Sequence, residues 1–310
     1  NFALHFAIWT GRRREAYLQA KPVLADCEPD TLNLDPADFE RRITPRTKAV
    51  IPVHHGGRPC RMDRILDLAR GRGIKVIEDA AHALPASFGG KKIGSLSDAA
   101  CFSFYPTKAM TTGEGGMVTT EDPEWAERMR VMSLHGISKD AWKRYTAEGT
   151  WFYEILRPGF KYNLTDIAAA IGVEQLKRCD EMAASRARIA ASYDEGFKGL
   201  DAVKTPPPSG DLGHAWHLYV LRLEPDRLKI DRGRFIEELK ERNIGTSVHF
   251  IPLHLHPYYR DALGYRPGDL PAATAAFERI LSLPIFPGMT GGDVADVIEA
   301  VRLVAAQNRR

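Results

Sequence analysis

Residues 48–84 spell strand, helix, strand, and nothing else in the chain constrains the fold as much. "KAVIPVHHGG" (Lys48 to Gly57) is a short β-branched run ending in glycines. "RMDRILDLARGRG" (Arg61 to Gly73) places Ile65, Leu68 and Ala69 at i, i+3 and i+4 of a helix, and "IKVIEDAAHAL" (Ile74 to Leu84) opens as a buried strand. Two strands joined through a helix lie parallel, so the sheet is expected to be largely parallel with helices on its faces.

The same grammar continues along the chain. "CFSFY" (Cys101 to Tyr105) reads as a strand leading to Lys108 and the glycine-rich turn "TTGEGG" (Thr111 to Gly116). "DPEWAERMRVMSLHG" (Asp122 to Gly136) reads as a helix entered through Pro123, and the stretch from Asn163 to Phe197 carries one long helical pattern opened by "TDIA". The breaker cluster "KTPPPSGDLGH" (Lys204 to His214) marks the best boundary. After it, "AWHLYVLRL" and "TSVHFIPLHLH" read as strands, and "RGRFIEELKERNIG" and "GGDVADVIEAVRLVAAQ" as helices. This predicts a large domain over residues 1–200 and a smaller α+β domain over 201–310.

Composition narrows the function classes. The chain has 310 residues, 44% hydrophobic and 27% charged, with a formal net charge of +3, so it lacks the basic stripe of a nucleic-acid binder. No apolar run approaches the roughly 18 residues of a membrane span. In "NFALHFAIWTGRRREAY" the basic cluster follows the apolar stretch, the reverse of a signal peptide, and the chain opens on Asn rather than Met, as a fragment would. Cys27, Cys60, Cys101 and Cys179 are widely spaced and read as reduced packing residues, which points to the cytoplasm.

Ligands of a parallel α/β sheet collect beyond the carboxyl ends of its strands, where Glu78, Asp79 and Lys108 all fall. A partly desolvated lysine has a lowered pKa and forms a Schiff base with an aldehyde, and a nearby carboxylate suits a cationic ring nitrogen. That pairing is what pyridoxal 5′-phosphate (PLP) chemistry requires. Ser103 and the "TTGEGG" turn are candidate phosphate donors close by.

"VIEDAAHALPASFGGKKIGSLSDAACFSFYPTKAMTTGEGGMVTT" resembles the signature of the DegT/DnrJ/EryC1/StrS family of PLP-dependent sugar aminotransferases. "PRTKAVIPVHHGGRPCRMD", "LHG" at 134–136, "PGFKYNLTDIAAAIGVEQL" and "FIPLHLHPYY" match in family order. The resemblance implies the aspartate-aminotransferase-like fold (fold type I), an α/β domain with a mostly parallel mixed sheet plus a small C-terminal α+β domain, acting as a homodimer with shared sites. It makes Lys108 the Schiff-base lysine, Asp79 the partner of the pyridine nitrogen, Ser103 a phosphate ligand and His82 a contact to the cofactor's face or phenolic oxygen. Lys161 or Asn163 of "KYN" would reach the neighbouring subunit's cofactor, and His254 would lie near the sugar. Read without the resemblance, Lys161 is solvated, Asn163 caps the following helix and His254 is structural.

Lys108 also discriminates within the family, whose sugar dehydratases carry His there. The implied reaction passes an amino group from glutamate to a nucleotide-linked keto sugar, and "KYN" points to UDP-linked 4-keto sugars. Relatives carry a further stretch before the position of Ala20, with a Gly-Thr or Gly-Ser turn for the phosphate and an aromatic that stacks on the ring. Here only Trp9 or Phe6 offers an aromatic, which leaves a second reading: a truncated, non-catalytic member, either an inactive fragment or a ligand-binding regulatory protein. A third reading, a metal hydrolase using His54, His55, Asp79 and His82, fares worse, because adjacent strand residues point to opposite faces.

Overall fold

The computed structural model describes residues 20–138 and 153–310. Its central sheet has four strands in the order β1-β2-β5-β6, formed by Ala49–Val50, Lys75–Asp79, Ala99–Ser103 and Gly116–Thr119. β1, β2 and β5 are parallel and β6 closes the edge antiparallel to β5, so the sheet is mixed. Between β2 and β5 a small antiparallel hairpin forms from β3 (Ser87–Phe88) and β4 (Lys91–Lys92). The crossover helix Met62–Arg70 buries Met62, Ile65, Leu68 and Ala69 against Val50, Ile74 and Val76. Each such aliphatic side chain removed from water contributes about 1.5–3 kcal/mol, which is why a helix of only 9 residues holds its place.

A second, three-stranded antiparallel sheet comprises β7 (Val203–Lys204), β8 (Tyr219–Leu223) and β9 (Ile280–Leu283) in that order. Its core gathers Tyr219, Leu221 and Leu283 with Phe235 and Leu239 of the helix Arg232–Lys240 and Val297, Val301 and Val304 of the helix Gly291–Gln307. Ile189, Ala190 and Tyr193 of the helix Cys179–Gly196 enter the same core. A separate cluster ties Leu24, Cys27 and Val53 to Val220, Tyr259 and Ile280, so residues 24–53 pack with segments more than 160 positions further on.

Several sequence expectations change in detail. The long pattern over 163–197 divides into the helices Asp166–Lys177 and Cys179–Gly196, because Arg178 leaves helical geometry at φ −102°, ψ 0°. "TSVHFIPLHLH" is no strand: it makes one bridge, Ser247 to Ser282, and then turns through the 3-10 segment Leu253–Leu255, following Pro252, which has no N–H to give a ladder. Cys27, Cys60 and Cys179 are buried as expected, whereas Cys101 is exposed. The helix Pro123–Ser133 starts where the sequence indicates, with the Asp122 carboxylate accepting from Glu124 and Trp125 N–H groups. No helix among the described residues is long and apolar enough to cross a membrane.

Candidate active site

β2 delivers the acidic pair of "IEDAA" in two directions. Glu78 turns into the interior, where its carboxylate accepts from Ser97 Oγ at 2.7 Å and lies 2.8 Å from His54 Nε2, with both side chains fully buried. His54 Nδ1 accepts the Cys60 N–H at 3.0 Å, which leaves Nε2 as the protonated nitrogen that donates to Glu78. Glu78→Ala is therefore expected to lower stability by about 3 kcal/mol, since a buried polar group loses its partner; a denaturant midpoint measurement checks this. His55 turns the other way, with Nε2 3.1 Å from the carbonyl of His249. The two histidines take different partners, although neither lies in a strand: His54 precedes the 3-10 segment His55–Gly57 and His55 opens it.

Asp79 is the last residue of β2, and its backbone is held between Pro52 on one side and Cys101 on the other. Its Oδ1 accepts the Ala81 N–H at 3.0 Å, and only 4% of the residue is exposed. Lys108 follows β5 through a turn in which its N–H donates to the Tyr105 carbonyl, and the side chain is 6% exposed. Burial pushes the Lys108 amine down to about 8, and the Asp79 carboxylate opposes that fall. Deprotonation supplies the nucleophile, so an amine at about 8 offers roughly 10²-fold more free base at neutral pH than one at 10.5. Labelling of Lys108 by an aldehyde in the cofactor-free protein is accordingly expected to rise with pH to a half-maximum near 8, as peptide mapping across a pH series would read.

His82 lies on the turn after β2, buried, with its ring centroid 4.3 Å from that of His217 and 6.3 Å from that of Phe250. His217 arrives from "AWHLY" through a backbone junction: Ala215 N–H donates to Gly57 O and Leu218 N–H to Gly56 O. Gly57 has φ +92°, and a Cβ there would come within 2.8 Å of the His82 carbonyl and 3.1 Å of the His217 nitrogen. Only glycine admits this contact, so the second glycine of "HHGG" seats His217 on His82. Burial holds both rings well below their ordinary pKa, with the neighbouring cations Lys108 and, for His217, Arg186 acting in the same direction. His249, whose Nδ1 lies 2.8 Å from Ser282 Oγ, is lowered to about 4 by burial and by Lys108. The group around Lys108 thus comprises Asp79, His82, His217 and His249, and neither of the last two was foreseen from the sequence.

The remaining candidates sit differently. Ser103 ends β5 half-buried, with Oγ accepting the Tyr105 N–H at 3.4 Å. In the "TTGEGG" turn the Thr111 hydroxyl donates to Phe104 O and the Thr112 hydroxyl to Glu114 O, so both protons stabilise the turn. Lys161 and Asn163 are joined at 2.6 Å from Nζ to Oδ1, and Asn163 borders a groove of about 520 Å³ shared by that turn and the helix Asp166–Lys177. Asn163 does not cap this helix: Thr165 does, its hydroxyl accepting the Ala168 N–H. His254 is fully buried with Nε2 2.9 Å from Thr274 Oγ1, a bond that ties it to the helix Pro271–Phe277. Trp9 and Phe6 lie outside the described residues.

A buried lysine of lowered pKa facing a buried carboxylate at the carboxyl ends of parallel strands is the machinery of an enzyme that works through an aldehyde cofactor. Residues 14–302 match the DegT/DnrJ/EryC1/StrS aminotransferase family, and the chain belongs to that family of PLP-dependent sugar aminotransferases. The chain is 51% identical over 284 residues to the spore coat polysaccharide biosynthesis protein SpsC of Bacillus subtilis, covering 91% of this chain and 73% of that protein. Among solved structures it resembles Spr1654 of Streptococcus pneumoniae in its PLP form, with a TM-score of 0.85 and 30% identity over 96% of this chain and 78% of that one. It also resembles the sugar aminotransferase CalS13 of Micromonospora echinospora, with a TM-score of 0.79 and 29% identity over 90% and 73% of the two chains.

Proposed function

We propose that this aminotransferase moves the amino group of glutamate to the keto carbon of a nucleotide-linked sugar, a UDP-4-keto sugar, in the cytoplasm. The observation that carries the reading is Lys108, buried, lowered to about 8 and set against Asp79. The residues present fit PLP: besides this pair, His82 Nδ1 is buried with no hydrogen-bond partner among the described residues, ready for a polar atom of the ring. Bound there, PLP supplies the electron sink that lets an amino group be exchanged for a keto group. Lys108 Nζ would hold the cofactor's aldehyde and would serve as the base for the proton at the reacting carbon. Asp79 keeps the ring nitrogen protonated, Ser103 binds the phosphate, and His82 orients the ring. His254, bonded to Thr274, acts by supporting the fold near the sugar.

We further propose a homodimer in which Lys161 and Asn163 serve the partner's cofactor, with residues 1–200 as the cofactor-binding unit and 201–310 as the smaller one. The helix Asp166–Lys177 supports this, because Gly172 is its one buried residue while Ile167 is 79% exposed and Val173 and Leu176 more than half exposed. Met117 and Val118 of β6 are exposed as well, and the helix's apolar residues are the kind of surface that a second copy would cover. The nucleotide-sugar reading draws on the "KYN" resemblance and on the polysaccharide role in the name of SpsC. The test is an absorbance spectrum after incubation with PLP. A visible band that bleaches with glutamate, followed by amination of a UDP-4-keto sugar, supports the reading. A folded protein that yields no band supports the non-catalytic alternative.

A further inference from the structure

We propose that Arg186 and His217 form the subsite that receives the carboxylate of the amino donor, an inference that rests on the amino-acid-donor reading above. Arg186 lies on the helix Cys179–Gly196 and is 6% exposed. Its Nη1 donates to the Ile285 carbonyl at 3.0 Å, while Nε is buried with no acceptor among the described residues. No described carboxylate forms an ion pair with it, the neighbouring Cys179 thiol is kept protonated by burial, and burial lowers the guanidinium below its ordinary pKa. A buried cation without a counter-charge is costly, and a fold that keeps one has a place for an anion.

The strand register leads from this guanidinium to the reaction centre. Tyr219 of β8 pairs with Leu283 of β9 as the last pair of that ladder, so His217 and Ile285, whose carbonyl Arg186 grips, each lie two residues beyond it at the same end of the sheet. His217 is 8% exposed, its Nδ1 is buried without a hydrogen-bond partner among the described residues, and its ring lies tilted by 35° against His82, three residues beyond Asp79. Unsatisfied polar atoms therefore run from Arg186 through His217 and His82 to the end of β2. The helix is also pinned beside Arg186: Ser185 Oγ donates to Pro287 O at 3.0 Å and Tyr193 Oη to Pro284 O at 2.8 Å. A guanidinium on so fixed a support is already oriented before any ligand arrives.

The chemistry favours a carboxylate over a phosphate. One planar guanidinium edge with one neutral imidazole matches a planar monoanion that accepts two hydrogen bonds. A phosphate dianion calls for a cradle of backbone N–H groups or a helix N-terminus, whereas the backbone that Arg186 and its helix neighbours engage offers the carbonyls of Pro284, Ile285 and Pro287.

The test uses the PLP-loaded full chain and reads the glutamate concentration for half-maximal bleaching of the visible band. Arg186→Gln keeps an N–H for Ile285 and removes the charge; it is expected to raise that concentration about 10- to 100-fold while the band and the half-saturation for the keto sugar stay unchanged. Arg186→Lys, which keeps a cation but loses the planar edge, should fall between. His217→Phe keeps an aromatic ring against His82 and loses the nitrogen, with an expected rise of about threefold to tenfold. Unchanged glutamate dependence in Arg186→Gln overturns the proposal. So does a selective loss of affinity for PLP or for the nucleotide sugar, which would make the bound anion a phosphate. Loss of soluble protein in both Arg186 variants, with His217→Phe unaffected, makes Arg186 a structural clamp and also overturns it. A wild-type protein that binds PLP and never bleaches with glutamate refutes the donor reading itself, whereas wild-type bleaching with indifferent variants refutes the subsite alone.

Discussion

Lys108→Ala is expected to lower amino transfer by at least about 10⁴-fold and to abolish the visible absorbance of the PLP-loaded protein. On the proposed reading two functions go with the one side chain: attachment of the cofactor aldehyde, and the base that moves the proton. The fold should survive. The amine is buried and lowered to about 8 by desolvation, so its removal relieves a burial penalty and leaves intact the turn made by its backbone N–H to Tyr105. Circular dichroism and a melting curve close to wild type would accompany the lost activity. A variant that folds and still transfers amino groups at a rate near wild type would show that Lys108 is not the attachment point.

Asp79→Asn is expected to slow the reaction roughly 10²- to 10³-fold while the cofactor still binds, the cost of leaving a buried cation without its anion. The substitution isolates charge from position. The backbone of residue 79 is fixed by Pro52 and His54 on the β1 side and by Cys101 on the β5 side, and an asparagine oxygen can still accept the Ala81 N–H. What disappears is the negative charge that, on the proposed reading, stabilises a protonated ring nitrogen. Single-turnover bleaching with glutamate, compared with the unaltered visible band, separates the two. Equal rates in Asp79→Asn and wild type would remove Asp79 from the chemistry.

Much of the scaffold is legible locally. Asp122 before Pro123, Thr290 three residues before Asp293 and the run Ile65, Leu68, Ala69 each mark a helix by chemistry confined to a few neighbours, and the structure builds those helices. Lys108 and Asp79 are legible for a related reason: each follows a strand-like run, and strand ends in such a sheet face a common crevice. Where the expectation failed, a distant contact or a competing local group was responsible. Asn163 looked like a cap until Thr165, two residues on, took the Ala168 N–H. Cys101 looked interior because its strand is apolar, yet only one side of β5 at that position is covered. The segment 246–256 has strand composition and lacks a continuous partner to pair with.

The amino-acid sequence by itself determined the order of strands and helices, the residues at the strand ends and the kind of chemistry a lysine and a carboxylate there can perform, because hydrophobic period, capping and turn residues act over a few positions. Only the tertiary structure decided which charges are buried together. His217 reaches His82 because Gly57 lets two backbones meet, and Arg186 reaches the same neighbourhood because β8 and β9 pair in one register. Desolvation depends on what covers a group, and the covering residues lie far along the chain. The lowered Lys108 amine, the neutral imidazoles and the uncompensated Arg186 are therefore properties of the packed molecule, invisible in any short stretch of its sequence.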